Sequence, residues 1–248
     1  CREWEDWDEL VVGAIEKQWA ERFAACTGLQ THVRWEAPCY GVDLKSLRAS
    51  GAAYLDGLSR NTRHQIRRSE RLYEESGPLE LRRPHSVDEA LAMFDAIGPV
   101  HLARWGSGPH QSGFANPEFV RFHRQLIADQ WPEGGVDLVN IHAGEKVVAA
   151  FYNLLRGKEV YFYLGGVHVE NDNRLKPGLV GHALCIEDYK HHGFNYYDFM
   201  GGQERYKATL GQFHTQLVQV ALQRDRLKLR LENMARHARD RWLKSANE

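Results

Sequence analysis

Hydrophobic positions in the middle of the chain form three short runs, at residues 136–142, 146–154 and 159–165. Each run has the length of a β-strand and is rich in β-branched and aromatic residues. The connections at residues 143–145 and 156–158 each contain a glycine, as hairpin turns do. The pattern therefore predicts a three-stranded antiparallel meander.

Hydrophobic residues at helical spacing lie on both sides of this meander. They predict helices at residues 16–26, 53–76, 87–97, 117–131, 179–191, 204–210 and 225–244. Shorter β-prone stretches predict further strands at residues 10–12, 31–44, 79–82, 195–200 and 216–222. From residue 117 onward the order is helix, meander, loop, helix, strand, helix, strand. This order is typical of an α/β fold of the mixed α+β kind and not of repeated βαβ units.

The composition is that of an ordinary globular protein. Of the 248 residues, 43% are hydrophobic and 26% are charged, and the formal net charge is −1. This near-neutral balance gives no general attraction to nucleic acid or to an acidic membrane. No stretch approaches the roughly 20 apolar residues that cross a bilayer. The sequence starts at Cys1 without a methionine or a signal-peptide pattern, so we expect that its natural beginning is missing.

Cysteine and histidine spacing gives no sign of a metal site. Cys1, Cys26, Cys39 and Cys185 are widely separated and form no CxxC pair, so we expect neither zinc nor a disulfide framework but a reducing, cytoplasmic location. Cys185 lies in an apolar run and is expected to be buried. The 13 histidines include no HxH or HExxH motif, and no metal is expected.

Residues 161–191 predict a strand, a polar loop and a helix that begins near Pro177-Gly178. The first N–H groups of a helix lack intrahelical partners and carry partial positive charge, so a pyrophosphate can bind there. Gly178 would permit close approach of the backbone, and Arg174 and Lys176 would neutralise phosphate charge. A plain turn before a helix is the alternative interpretation of Pro-Gly.

Further short motifs accompany this segment. They are Tyr161 with Tyr163, Gly193 with Asp198-Phe199, Gly202 with Tyr206-Lys207 and, upstream, Asn61-Thr62-Arg63, Ile66-Arg67-Arg68, His101 with Arg104-Trp105, and Gly113-Phe114. Their order and spacing, from about residue 40 to about residue 215, resemble the CelD/BcsL-type acyltransferases of the GNAT superfamily. The block also resembles the FemABX-type peptidyltransferases, which share this fold and take an aminoacyl group from tRNA.

The resemblance implies a GNAT-like acyl-CoA N-acyltransferase fold, with acetyl-CoA or another acyl-CoA as the donor substrate. It assigns the pantetheine to the strand and the pyrophosphate to the following helix N-terminus. The implied donor-binding residues are Tyr163, Leu164, Gly165, Arg174, Lys176, Pro177, Gly178 and Leu179. One position departs from the family's phosphate loop, because Pro177 has no N–H to donate.

Acyl transfer by direct attack needs a base, a group that stabilises negative charge on the thioester oxygen, and an acid for the leaving thiolate. Asp198, at a predicted strand end, is the candidate base, and capping a turn is its alternative role. The resemblance makes Lys207 the candidate for charge stabilisation. The candidate acids are Tyr206 and Tyr163, for which core packing is the alternative, and a backbone N–H near Leu164 could contact the oxyanion.

The acceptor has two groups of candidate residues. His101 and Arg104 share one side of a helix and precede Trp105, which could stack on a sugar or another ring. Arg63 and Arg67 belong to a helical stripe, which consists of Arg60, Arg63, Arg67 and Arg71. The stripe could hold an anionic saccharide or, in the FemABX interpretation, tRNA. A packing cluster and a solvated charged face are the respective alternatives.

The preferred hypothesis is therefore an acyl-CoA-dependent acyltransferase that acts on a saccharide or small-molecule acceptor, in polysaccharide biosynthesis, with no nucleic acid partner. A tRNA-dependent transferase and a non-catalytic module that lost its donor site are the alternatives. We expect residues 1–44 to be the tail of an incomplete first GNAT-like half and residues 45–222 to form the acyltransferase domain. Residues 223–248 should form an amphipathic helix whose apolar face packs, and this face comprises Leu227, Leu231, Met234, Ala238 and Trp242.

Overall fold

The computed structural model describes residues 7–108 and 111–245, so that Cys1 lies outside the described residues. The described residues form two compact units. The first unit contains the chain up to Cys39, Gly201–Gln203 and the chain from His214 onward, and the second contains Tyr40–Met200 and Glu204–Phe213. Every residue named above as a catalytic, donor-binding or acceptor-binding candidate lies in the second unit.

The regular elements follow the predicted order closely. The strands are β1 (Glu9–Glu16), β2 (Gln30–Asp43), β3 (Leu79–Arg82), β4 (Val136–Ala143), β5 (Lys146–Arg156), β6 (Glu159–Val167), β7 (Tyr196–Gly201) and β8 (Gln212–Gln223). The helices are α1 (Lys17–Thr27), α2 (Leu44–Ser50), α3 (Arg60–Glu74), α4 (Val87–Trp105), α5 (Pro117–Gln130), α6 (Pro177–His191), α7 (Arg205–Leu210) and α8 (Leu227–Ser245).

In the second unit the strands lie in the order β7-β6-β5-β4-β3. Strands β3 to β6 pair antiparallel, and β6 is followed by α6 and by β7, which pairs parallel to β6. This topology confirms the predicted mixed α+β fold, in which an antiparallel meander leads into a strand-helix-strand unit.

Two hydrophobic cores cover opposite faces of the meander, because successive side chains of a strand point to opposite sides. On the face that we call the α6 face, Val139 and Phe151 pack with residues of α2, α3 and α6. On the face that we call the α4 face, Leu138 and Tyr152 pack with residues of α4 and α5. Cys185 is fully buried on the α6 face, as its apolar context predicts, and burial raises the pKa of its thiol.

The first unit has a core of its own. Strand β8 pairs antiparallel with β1 over a register that runs from Glu9–Gln223 to Glu16–Leu217, and Ala20 of α1 packs on the inner residues of β8. The prediction for α8 is wrong in one respect: Leu227, Leu231 and Met234 are exposed, whereas Leu229 is buried. The side chain of Trp242 lies outside the described residues.

Two helix boundaries differ from the prediction for identifiable reasons. The single helix expected at residues 53–76 is divided, because Ser59 is extended and its hydroxyl accepts the N–H of Thr62 as the N-cap of α3, after a short 3-10 helix at Tyr54–Gly57. Helix α4 continues through Pro99 to Trp105 instead of ending at residue 97. Burial of Ile97 and Gly98 offsets the hydrogen bond that proline removes.

Candidate functional site

The parallel pair β6–β7 is short. Its register runs from Glu159–Tyr196 to Tyr161–Asp198, while β6 itself continues to Val167. On its other edge, β6 pairs with β5 in a register that shifts between Tyr152–Leu164 and Asn153–Phe162. Tyr163 is therefore the extra residue of a β-bulge, which bends β6 away from regular pairing. The bulge lies within the strand segment to which the sequence assigns the donor.

The bulge also redirects two neighbouring side chains. Tyr163 and Leu164 both join the core of the α4 face, although they are adjacent in the strand. There the Tyr163 hydroxyl lies 3.1 Å from Nε2 of His123, and Nδ1 of His123 lies 3.2 Å from the Tyr152 hydroxyl. Burial lowers the pKa of His123 and raises that of Tyr163, so both stay neutral near pH 7. Gly165 is required for packing, because a Cβ there would lie 2.8 Å from the Phe151 ring.

Helix α6 has Lys176 as its N-cap residue, and the Lys176 side chain makes no capping hydrogen bond. The backbone N–H of Lys176 donates to Oγ of Ser69 in α3 at 2.8 Å, and Val180 makes the first helical bond, to the Lys176 carbonyl. Pro177 occupies the first helical position, which leaves the N–H groups of Gly178 and Leu179 at the helix end. A Cβ at Gly178 would come no closer than 3.8 Å to Val167, so the space beside this turn is open.

The charges around this helix end differ from the sequence-based assignment in one respect. Arg174 is exposed, and its guanidinium donates hydrogen bonds to both carboxylate oxygens of Asp172. These bonds lower the pKa of the Asp172 carboxyl to about 2. The charge of Arg68 also acts on Asp172, which shows that Arg68 lies near the same loop. The Nε group of Arg68 is buried and has no hydrogen-bond partner among the described residues. Arg68 stands in the Ile66-Arg67-Arg68 motif, but the sequence predicts no role for it. Burial of the Arg68 Nε depends on the packing of α3, which local sequence does not reveal.

Asp198 and Lys207 both contact the backbone of Met200 at the end of β7. A carboxylate oxygen of Asp198 accepts the N–H of Met200 at 2.6 Å, and Nζ of Lys207 lies 3.5 Å from the Met200 carbonyl. Met200 itself has a φ of 58°, in the left-handed region that non-glycine residues seldom occupy. Asp198 and Lys207 are both buried, and Lys207 also lies 3.2 Å from Glu204. Lys207 is therefore not a solvated lysine on an exposed helix face, and the turn-capping hydrogen bond of Asp198 is present.

Tyr206 lies in an aromatic cluster with His182, which sequence analysis missed. The imidazole of His182 stacks against the Tyr206 ring, with centroids 5.4 Å apart and planes 15° apart, and against Phe151 at 4.5 Å. Its Nδ1 lies 3.1 Å from the Tyr197 hydroxyl. Complete burial, aided by the nearby charge of Lys207, lowers the pKa of His182 to about 3. Burial and Glu204 raise the pKa of Tyr206, and Arg104 opposes that rise.

The first acceptor group lies at the C-terminal end of α4. Nδ1 of His101 lies 2.8 Å from the hydroxyl of Ser112, and the Arg104 guanidinium carbon lies 5.2 Å from the centre of the Trp105 ring. The positive charge of Arg104 lowers the pKa of Tyr206, so the two side chains lie within electrostatic range of each other.

The second acceptor group lies elsewhere. Arg63 donates to the carbonyls of Leu55 and Asp56, and Arg67 lies 3.8 Å from the Asp56 carboxylate. Among the described residues, no hydrogen bond or ion pair links Arg63 or Arg67 to the group at the end of α4. The acceptor role of Arg63 and Arg67 therefore stays a prediction.

The described part of the chain contains neither a candidate metal site nor a candidate membrane-spanning helix. No group of three or more histidine, cysteine, aspartate or glutamate side chains there could hold a metal ion. No helix there is long and apolar enough to cross a membrane.

A meander whose last strand bulges and parts from its parallel neighbour, just before an open helix N-terminus, defines a GNAT-type transferase fold. Residues 60–208 match the acetyltransferase (GNAT) domain family, and because this match covers more than half of the chain, the protein belongs to that family. No curated protein matches the chain.

Solved structures with the same fold share little sequence with this chain. A structure of FemX has a TM-score of 0.59 at 11% identity, over 86% of this chain and 72% of FemX. A conserved protein of unknown function from Bacteroides thetaiotaomicron has a TM-score of 0.57 at 13% identity, over 87% and 69%. L-PGS from Bacillus licheniformis has a TM-score of 0.55 at 12% identity, over 91% and 71%. At these identities the likeness concerns the fold alone.

Proposed function

We propose that the protein transfers an acyl group from acyl-CoA, acetyl-CoA first among them, to an amine or hydroxyl of a saccharide or other small acceptor. The resemblance to CelD/BcsL-type proteins suggests a role in polysaccharide biosynthesis, and the scattered cysteines suggest a cytoplasmic location. The observation that carries the proposal is the separation of β6 from β7 beyond Tyr161, directly before the open end of α6. A thioester donor that lies along β6 would there approach Tyr206 and Lys207.

The donor site fits the residues present. In this proposal the pantetheine follows the backbone of Tyr163, Leu164 and Gly165, and the pyrophosphate accepts the N–H groups of Gly178 and Leu179. The half-buried guanidinium of Arg68, whose charge acts on the same loop, would also donate to a phosphate oxygen. Arg174 and Lys176 add positive charge, and Pro177 fixes the helix start without an N–H.

Each chemical role in the transfer has a candidate group. The acceptor nitrogen or oxygen attacks the thioester carbon, so that a C–N or C–O bond forms and the C–S bond breaks. Asp198 takes the proton that the acceptor loses, and Lys207 stabilises negative charge on the carbonyl oxygen. Tyr206, kept protonated by its raised pKa, gives its proton to the departing sulfur and regains one from Asp198 through solvent. The products are the acylated acceptor and free CoA.

The domain arrangement is part of the proposal. We assign residues 45–222 to the acyltransferase domain, residues 1–44 to the end of a first GNAT-like half and residues 223–248 to an additional helix. The alternative with tRNA as donor draws on the fold likeness to FemX and on the arginines of α3. The alternative of a non-catalytic module draws on the N–H that Pro177 lacks.

Calorimetric titration with acetyl-CoA tests the donor class. The wild-type protein should bind acetyl-CoA with a micromolar Kd, and Arg68→Ala should weaken binding about 10-fold or more, as expected for the loss of a charge-assisted hydrogen bond. Arg174→Ala should have a smaller effect, because Asp172 already engages Arg174. Arg121→Ala, which removes an exposed arginine of α5, is the matched control.

The outcomes separate the three interpretations. Absence of acetyl-CoA binding would contradict the proposal, and filter binding of a tRNA would then decide between a tRNA-dependent transferase and a binding module. Binding that is unaffected by Arg68→Ala and Arg174→Ala would place the pyrophosphate elsewhere. Turnover with a panel of amino sugars and sugar acids, followed as thiol release, would then identify the acceptor.

A further inference from the structure

We propose that the acceptor carries a carboxylate or phosphate group and that Arg104, supported by Trp105, binds it. The inference rests on the proposed function for the nature of the site and adds the chemical class of its acceptor. It concerns the C-terminal turn of α4, which we call the α4 end and define by His101, Arg104 and Trp105.

The α4 end lies beside the donor strand. Gly166 of β6 packs so closely on α4 that a Cβ there would lie 3.3 Å from Ile97 and 3.4 Å from Val100. Arg104 follows Val100 by four residues, so the two side chains share one side of the helix. Arg104 is therefore on the side of α4 that meets the end of β6, one turn beyond the contact with Gly166. The effect of its charge on Tyr206 agrees with this placement.

The guanidinium of Arg104 lies against an aromatic ring. It lies over the ring of Trp105, a residue that is 43% exposed. Trp105 in turn contacts His101 at a centroid distance of 6.1 Å, and His101 is tied to the buried Ser112. A guanidinium that stacks on an aromatic face keeps its N–H groups free in its own plane, where they can bind an oxyanion in bidentate fashion.

Arg104 has no ion pair with an acidic side chain in the part of the chain that the structure describes. Among the described side chains, no carboxylate lies within 4.0 Å of it, whereas Arg121 and Arg124 of the neighbouring helix α5 pair with Glu118 and Asp95. An arginine that has no carboxylate partner among the described residues and lies beside the donor strand attracts an anionic substrate. The exposed part of the Trp105 ring offers an apolar surface on which the ring of such an acceptor can rest. Carboxylate and phosphate share this recognition chemistry, and a ring that bears one of them fits both features.

Titration with three small probes tests the inference. D-glucuronate, D-glucose 6-phosphate and neutral D-glucose are added to the complete protein, with and without CoA. Binding is followed at the indole N–H resonance of Trp105 in nitrogen-15 NMR spectra, assigned with Trp105→Phe. At least one anionic probe should shift this resonance saturably, glucose should not, and the stronger anion identifies carboxylate or phosphate. Arg104→Ala should weaken anion binding about 10-fold or more, Arg104→Lys less, and Arg121→Ala not at all.

Three results would overturn the inference: equal binding of glucose and the anions, equal anion binding by wild type and Arg104→Ala, or no saturable shift with either anion. Acetyl-CoA affinity, measured on the same samples, keeps this test separate from the proposed function. Loss of anion binding in Arg104→Ala with unchanged acetyl-CoA affinity supports an acceptor site. If acetyl-CoA does not bind to the wild type, the proposed donor is wrong, while the anion titrations still report on Arg104.

Discussion

The two faces of the meander each bury a histidine, and the two histidines differ in what surrounds them. On the α4 face, His123 has a tyrosine hydroxyl at each ring nitrogen, from Tyr152 and Tyr163. On the α6 face, His182 has one tyrosine hydroxyl at Nδ1 and is otherwise held by ring stacking, against Phe151 and Tyr206. Both are neutral because burial disfavours the imidazolium.

This difference suggests that His123 and His182 have different roles. Both ring nitrogens of His123 contact tyrosine hydroxyls, one from β5 and one from β6. We therefore expect this network to hold the bulge of β6 in place. The stack of His182 ends on Tyr206, which is followed by Lys207 and lies near Arg104. Changes to the His123 network should therefore affect folding stability, whereas changes to the His182 stack should affect turnover as well.

The largest effect should come from Lys207→Met. Lys207 is buried beside the Met200 carbonyl, where a positive charge can act on the thioester oxygen at low dielectric. We expect turnover to fall about 100-fold or more, with acetyl-CoA affinity changed little. Thiol release and calorimetry measure the two quantities.

The comparison variant for Lys207→Met is Tyr163→Phe, which removes one polar group from the α4 face and leaves the strand backbone intact. It should lower stability by about 1–3 kcal/mol, because Nε2 of His123 loses its partner, and should keep turnover within about 2-fold. A large loss of turnover in Tyr163→Phe together with normal turnover in Lys207→Met would reverse the assignment of the faces.

The next effect concerns the histidines themselves. His182→Leu and His123→Leu should each lower the free energy of unfolding by about 2 kcal/mol or more, since the first removes the histidine partner of the Tyr197 hydroxyl and the second removes that of Tyr152 and Tyr163. Only His182→Leu should also reduce turnover, by about 10-fold, because a displaced Tyr206 loses near-attack geometry. His182→Phe restores the ring stack and should recover most of the turnover while remaining destabilised. Equal turnover in His182→Leu and His182→Phe would show that stacking does not position Tyr206.

The pH dependence of stability sharpens the comparison further. The pKa of His182 falls from an ordinary value near 6.5 to about 3 in the folded state, so below pH 6.5 the unfolded chain binds a proton that the folded chain does not. Stability should thus decrease as the pH falls from about 6.5 towards 3, by about 1.4 kcal/mol per pH unit. Urea unfolding at pH 7.5 and pH 5 should show a loss about 2 kcal/mol larger for wild type than for His182→Phe. His123→Phe should reduce the loss by less, because the charge of Lys207 adds to the effect of burial on the pKa of His182 but not on that of His123. An equal reduction would contradict this difference.

The sequence predicted more of the fold than of the site. Hydrophobic periodicity located the meander and α6, and the motif at Gly202 with Tyr206-Lys207 pointed to the segment that the structure brings next to Asp198. The continuation of α4 through Pro99 was missed, because proline normally ends a helix and the compensating burial comes from distant residues. His182 and Arg68 were missed for a similar reason. Their partners lie 15 or more residues away in the chain, and local spacing cannot report such contacts.

The smallest expected effect on stability comes from Gly178→Ala. The matched variant is Gly181→Ala in the same helix, because Gly181 is closely packed and Gly178 is not. A Cβ at Gly181 would lie 2.9 Å from the Phe151 ring, in the stack that holds His182, so Gly181→Ala should destabilise the protein by about 1–3 kcal/mol. A Cβ at Gly178 meets only Val167 at ordinary contact distance, so Gly178→Ala should change stability by less than about 1 kcal/mol and in the stabilising direction. Yet the same methyl group would occupy the place where a pyrophosphate approaches the first N–H groups of α6, and acetyl-CoA affinity should fall about 10-fold. Thermal unfolding and calorimetry on the two variants separate these effects. Unchanged acetyl-CoA affinity in a stable Gly178→Ala protein would mean that the donor phosphates bind away from the helix end, however well the rest of the fold is assigned.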